Sequence, residues 1–376
     1  MKITTESENN ISLSYYQPFR IDKEESLIWN VDPSELVHIP DHWFNFSAPH
    51  PLSNYLLGFL YFIFFVISCT GNGIVIWIFT TSKNLRTASN VFVVNLAIFD
   101  FIMMAKTPIM IYNSMNLGFE CGFVWCQIFA SAGALSGIGA SITNTCIAYD
   151  RCETITNPLQ KSGKKKAFLL AAFTWIYALP WAVLPFLEIW GKFAPEGYLT
   201  TCTVDYLTDT SQTRMFIVTI FFAAYVLPLS LIIYFYTKIV LHVINHEKSL
   251  KAQAKKMNVE SLRSDGNKNY AVEIRITKVA IAMCFLFVIS WTPYAVVALI
   301  GCFGNKHLIT PLVSMIPACA CKAVACIDPY IYAISHPRFR VEVNKRFACL
   351  AGCLQEKELQ DDAVSKNTVN AENVDT

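Results

Sequence analysis

The sequence predicts an all-α membrane protein: a bundle of seven transmembrane helices followed by a short amphipathic eighth helix. Three observations predict it. Only 15% of the 376 residues are charged and 54% are hydrophobic, whereas a soluble domain carries about 25% charged residues. The apolar residues gather in seven blocks, each long enough for the about 20 residues that a bilayer-spanning helix needs. Lys and Arg concentrate on alternate loops, the bias that orients membrane helices.

The blocks run at about 54–80, 90–116, 125–149, 167–190, 214–241, 276–302 and 309–334. Lys83 and Arg86 follow the first, and Arg151, Lys161, Lys164, Lys165 and Lys166 follow the third. A run of bases from Lys238 to Lys278 links the fifth to the sixth. The loop after the second has Glu120 and no base, and the loop after the sixth has only Lys306. Residues 1–53 are therefore expected outside the cell and the C-terminus inside, in a multi-pass plasma-membrane protein. Residues 1–50 lack a cleavable signal, so the first span acts as its own insertion signal. They read as a polar, poorly ordered tail, and residues 351–376 as a disordered cytoplasmic one.

The fifth helix extends into its basic loop, which breaks at Ser264–Asn267, and the sixth begins near Ala271. After the last span, residues 336–350 place Phe339, Val343 and Phe347 four apart. That spacing makes one apolar face of a helix lying on the inner leaflet, against lipid.

Covalent chemistry divides by compartment. Cys126 opens the third span and Cys202 lies in the loop before the fifth; a disulfide between them would tie that loop across the mouth of the bundle, on the oxidising side. Cys121 and Cys302 lie near the same face without an assigned partner. Asn10 and Asn45 open N-glycosylation sequons. Cys349 and Cys353 follow the last span, where cysteines are either palmitoylated or plain cytosolic thiols.

Ionisable groups inside spans are expensive and mark function. Asp100 and Lys106 lie in the second span, Lys322 and Asp328 in the seventh, and Asp150-Arg151 closes the third. Lys322 sits mid-span among Ala318, Cys319, Ala320, Cys321, Ala323 and Ala325, with no acid within a helical turn. Small neighbours leave room beside an unpaired amine, which suits a lysine that condenses with an aldehyde to a Schiff base. Pairing with a carboxylate on another helix, or ion coordination, are the alternatives. Nothing points to a metal site, to nucleic acid or to an enzyme.

Gly71-Asn72, Asn95-Leu96-Ala97 with Asp100, Asp150-Arg151, Pro228, Trp291-Thr292-Pro293 and Asp328-Pro329-Tyr330-Ile331-Tyr332 fall one set per span. In that order they resemble the rhodopsin-like receptors, over residues 54–350. Within that family a lysine at the Lys322 position resembles the opsins, where it binds 11-cis-retinal or a 3-hydroxy or 3,4-didehydro analogue. Ala254–Val259, Ser290–Tyr294, Ile316–Cys319 and His336–Arg340 are similar to arthropod visual opsins. The resemblance implies a photoreceptor of the rhabdomere, a heterotrimeric G protein of the Gq class, and an arrestin and a receptor kinase as further partners. It also places Trp291, Tyr294, Phe129 and Gly133 at the chromophore.

A protonated Schiff base needs an anion. Vertebrate opsins use a glutamate where this chain has Phe129. Glu196, six residues before Cys202, matches the invertebrate counterion; a solvent-facing loop acid is the alternative. Lys106 lies six residues beyond Asp100, or ~9 Å along a straight helix. Met103–Pro108 followed by Ile111–Ser114 resembles insect ultraviolet opsins, in which this lysine is the tuning residue. A cation there disfavours protonation of the imine, and an unprotonated imine absorbs in the ultraviolet. The alternative is a lysine that snorkels to the interface.

The expected switch pairs Arg151 with Asp150 and with Glu273 in the dark, and lets Tyr236 and Tyr332 fill the space beside Arg151 in the light. Trp291 forms the pocket floor and Pro293 the kink. Cys152 replaces the family's usual aromatic, and Asp328 its commoner Asn. Rival functions are a peptide receptor and a retinal photoisomerase; a light-driven pump is disfavoured because Asp100 with Asp328 is too sparse for a carboxylate relay across the membrane. An aminergic receptor is disfavoured because the stretch from Cys126 to Tyr149 holds no acid.

Overall fold

The computed structural model describes residues 26–157, 163–256, 266–335 and 337–346. Its helices are α1 (Pro51–Thr81), α2 (Ala88–Ala105), α3 (Thr107–Met115), α4 (Gly122–Thr156) and α5 (Lys164–Phe186). They continue with α6 (Ser211–Phe221), α7 (Leu227–Lys256), α8 (Gly266–Phe303), α9 (Pro311–Ser335) and α10 (Pro337–Arg346). One antiparallel hairpin, β1 (Phe193–Glu196) with β2 (Thr201–Val204), lies between α5 and α6. Helices α2 and α3 share one span and α6 and α7 another, so seven spans among the described residues can cross a membrane.

Both interruptions have local causes. The second span, expected as one helix, breaks at Lys106 because Pro108 has no N–H with which to continue the ladder. Thr107 Oγ1 donates to the Met104 carbonyl at 2.7 Å and closes the break. The fifth span contains a π-helical turn at Phe222–Val226. There Tyr177 donates to the Ala223 carbonyl and Ser141 to the Ala224 carbonyl, each at 2.9 Å. A π turn frees backbone oxygens, and here α5 and α4 use them as anchor points. The sixth helix starts at Gly266, earlier than the expected Ala271.

The long helix α4 is the axis of the packing. Asn95 of α2 donates to Thr143 at 2.8 Å and Thr174 at 2.9 Å, and accepts from Trp175 at 2.9 Å, joining α2, α4 and α5. Ser68 and Asn72 of α1 donate to the Ala325 carbonyl of α9 at 2.8 and 2.9 Å. Such bonds satisfy polar groups that lipid cannot. Helix α10 returns to α1: Phe339 is buried and stacks on Phe79 at 5.1 Å, while Ser82 donates to Glu342 at 3.2 Å. Phe347, Cys349 and Cys353 lie outside the described residues, as does Asn10.

The expectation of a poorly ordered N-terminal tail is corrected over residues 26–50. Leu27 N–H donates to the Phe46 carbonyl at 2.9 Å, and Ser26 bridges to Ser47. Leu27, Val31, Ile39 and a fully buried Trp43 pack into the same core as Phe193 and Cys202. Their apolar side chains are too scattered for a sequence window, yet they converge once the chain folds back. Glu35 accepts from the Phe123 N–H at 3.1 Å, at the N-terminus of α4, where an anion is favoured. The first helix accordingly begins at Pro51, with His50 accepting from the Leu52 N–H. Asn45 is exposed on this segment.

Gly139 tests the packing. A Cβ there would lie 2.2 Å from Phe99 Cε1. The Phe99 ring is fully buried and stacked on Trp175 at 4.3 Å, so it has nowhere to move. Gly139→Ala should destabilise the receptor by about 1–3 kcal/mol, read as a lower thermal unfolding midpoint in detergent.

Candidate functional site

Helices α2, α4, α6, α8 and α9 and the β-hairpin enclose a cavity of about 180 Å³. Phe129, Phe221, Tyr225, Phe287, Trp291 and Tyr294 give it aromatic walls, and Lys106, Glu196 and Lys322 are its two amines and its one carboxyl group. A small-molecule pocket is typically of this kind, mainly apolar with a few placed polar groups. The three residues come from three different parts of the fold.

Lys322 is 6% exposed. Its ammonium donates to the Ala318 carbonyl of its own helix at 3.1 Å. It lies 5.1 Å from the Tyr61 ring centre and 5.7 Å from that of Phe129, contacts that favour a cation modestly. Tyr61 is in turn hydrogen-bonded to Cys319 at 3.4 Å. The small side chains predicted around Lys322 do open the cavity beside it, for Ala318 and Cys321 line the wall.

Glu196 ends β1, paired with Thr201, while Pro195 pairs with Cys202. The expected disulfide joins Cys126 to Cys202 and pins this hairpin to the start of α4. Cys121 and Cys302 carry free thiols. The turn needs Gly197, at φ +66, where an added Cβ would meet Met315 Sδ at 2.3 Å; glycine alone adopts this conformation freely. Above the hairpin, the Trp43 indole donates to the Pro195 carbonyl at 3.0 Å. Glu196 does not face solvent: it is 3% exposed, and Tyr206 donates to its Oε2 at 3.2 Å. Burial pushes its carboxyl up to about 7, against the downward pull of Lys322, the Tyr206 hydroxyl and Lys106. No ion pair joins it to either amine among the described residues.

Lys106 turns inward at the break between α2 and α3. Its ammonium donates to the Phe129 carbonyl at 3.0 Å and lies 4.1 Å from the centre of the Phe129 ring. It lines the cavity and does not snorkel to the interface. Phe129 thus contacts both amines. At the floor, Trp291 lies 5.7 Å from Phe287 and 6.2 Å from Tyr294, ring to ring. Gly137 makes room for it, since a Cβ there would meet the indole at 2.5 Å. The Tyr294 hydroxyl bonds to Thr203 of β2, and Tyr225 bonds to Thr292 at 2.5 Å.

At the far end of the bundle Arg151 pairs with Asp150, both buried. Tyr236 is hydrogen-bonded to Cys284 at 3.5 Å. Asp328 and Asp100 are both buried. The side chains of Glu273 and Tyr332 lie outside the described residues. Sequence reasoning missed Tyr206, Thr203, Tyr61 and Trp43. Trp43 lies 152 residues from the carbonyl it binds, and no local pattern carries such a pairing.

The raised carboxyl of Glu196 gives a pH prediction. Its folded-state value of about 7 exceeds the ordinary 4.5, so the folded protein binds the proton more tightly than the unfolded chain. The stability this supplies is complete below about pH 4.5 and lost as pH rises through about 7. The unfolding midpoint of the retinal-free protein should therefore fall over that window, and Glu196→Gln should flatten the slope.

Residues 71–332 match the model of the seven-transmembrane receptor family of rhodopsin type. An opsin of Apis mellifera described as ultraviolet-sensitive is 56% identical, over 91% of this chain and 92% of its own. Opsin Rh3 of Drosophila melanogaster is 53% identical, over 96% of this chain and 95% of its own. The crystal structure of squid rhodopsin superposes with a TM-score of 0.79 at 34% identity, covering 86% of this chain and 94% of that one. The chain belongs to the rhodopsin family of seven-transmembrane receptors and, within it, to the opsins.

Proposed function

We propose that this opsin is an ultraviolet visual photoreceptor that holds 11-cis-retinal, or a 3-hydroxy or 3,4-didehydro analogue, as an imine on Lys322. One observation carries the reading: the cavity that holds the Lys322 amine also holds a second amine, Lys106, and a single carboxylate, Glu196. When bound, retinal supplies the light absorption and the change of shape. The protein supplies the rest. Ala318 and Cys321 leave space at the attachment point, and aromatic walls exclude water. Lys106 opposes a second positive charge nearby. Glu196 is the counterion candidate, and a carboxyl poised at about 7 is a weak anion at neutral pH. Both terms favour an uncharged imine, which absorbs in the ultraviolet. The names of the honeybee relative and the resemblance to insect ultraviolet opsins agree with this.

The basic loops favour an orientation with the Arg151 end in the cytoplasm and the hairpin end outside, which would leave Asn45 available for a glycan. Signal transfer then runs along α8, from Trp291 through the Pro293 kink to the end where Asp150 holds Arg151. A shift of α8 would release Tyr236 from Cys284 toward Arg151. The basic extension of α7 and the resemblance of its loop to arthropod opsins favour a G protein of the Gq class, with arrestin and a receptor kinase following. The rhabdomeric photoreceptor membrane is the corresponding location.

The regenerated dark pigment should peak in the ultraviolet, and a peak well into the visible would overturn the colour. Borohydride should fix retinal covalently to the wild type and not to Lys322→Ala, as judged by retinal retained after denaturation. Light-dependent nucleotide exchange on a purified Gq protein should separate signalling from photoisomerase activity.

A further inference from the structure

Gly133 stands where Lys106 enters the cavity. A Cβ at position 133 would lie 2.2 Å from Lys106 Nζ and 3.5 Å from Lys106 Cε. Helical side chains lean back toward the N-terminus and cover the preceding turn. Residue 133 is also four positions after Phe129, the register that pairs an N–H with a helical carbonyl. The Phe129 carbonyl is the oxygen that accepts from Lys106 at 3.0 Å. A side chain at 133 would therefore shield that oxygen and fill the space the amine occupies.

We infer that Gly133 is a positioning residue for spectral tuning: its missing side chain seats the Lys106 amine on the Phe129 carbonyl, inside the cavity, and so sets the wavelength. The inference rests on the ultraviolet reading above. The steric conflict differs in kind from that at Gly139, where the obstructing atoms belong to a locked ring. Here they belong to the end of a flexible side chain, which can swing away. The expected consequence is a displaced charge in a fold that survives. With the amine displaced, less repulsion opposes a protonated imine on Lys322, and the visible form gains.

The test compares dark spectra of wild type, Lys106→Met, Gly133→Ala and the double variant, each regenerated with 11-cis-retinal at neutral pH. Thermal unfolding of the retinal-free proteins, expected to match within a few degrees for Gly133→Ala, runs in parallel. Lys106→Met should gain a visible band at the expense of the ultraviolet one. Gly133→Ala should move the same way, raising the visible share about tenfold, as one unit of protonation equilibrium would. The double variant should match Lys106→Met alone, because both changes remove one charge from one place. An ultraviolet peak kept by Gly133→Ala while Lys106→Met shifts overturns the role of Gly133 and leaves the tuning reading standing. An ultraviolet peak kept by Lys106→Met overturns both. Gly133→Ser places a Cβ at the same point and decides the matter should the alanine variant fail to fold.

Discussion

A lysine ammonium sits inside a membrane bundle with its hydrogen bond going to a carbonyl of its own helix, and the surrounding architecture follows from that cost. An ionised group away from water is expensive unless something compensates it. The compensation is spread out: one carbonyl, the faces of Tyr61 and Phe129, and a carboxylate that shares the cavity without an ion pair. Such a site is poorly satisfied with its amine free. It suits a lysine whose amine is consumed in a covalent bond.

The hairpin that brings Glu196 into the cavity is fixed from several directions. The disulfide from Cys202 holds it to α4, Trp43 holds its Pro195 carbonyl from above, and Thr203 bonds to Tyr294 of α8. Backbone groups in a loop need partners as much as those in helices do, and here those partners double as positioning contacts. The result is a carboxylate held in place by the protein, with Tyr206 as its hydrogen-bond donor. Its charge state then depends on burial and on two neighbouring cations, which makes electrostatics of the cavity a property of three separate segments of chain.

Deviations from regular helix serve the same site. The break at Pro108 lets Lys106 turn inward, and the π turn at Phe222–Val226 brings Tyr225 to the cavity wall and to Thr292. Missing side chains act alongside them: Gly137 admits Trp291 and Gly133 admits Lys106. The π turn is stabilised by hydrogen bonds from neighbouring helices, with Tyr177 and Ser141 on its freed carbonyls, whereas the break at Pro108 is closed by Thr107 of the same span. Irregular backbone at membrane depth is tolerable only where it lines a cavity or is covered by protein.

The sequence by itself determined the seven spans, the amphipathic tenth helix at Phe339 and the singular position of Lys322. These depend on apolar length, helical spacing and residue type, which are local quantities that lipid reads directly. Glu196 and Lys106 were legible as residues of interest, but their burial and direction were not. A loop acid and a lysine near a helix end look the same in sequence whether they face water or a cavity. Only the tertiary structure decided that Lys106 bonds the Phe129 carbonyl, that Tyr206 and Trp43 support the hairpin, and that residues 26–50 cover it. Those contacts join residues far apart in the chain, where no periodicity links them, and their energy appears only after the bundle has closed.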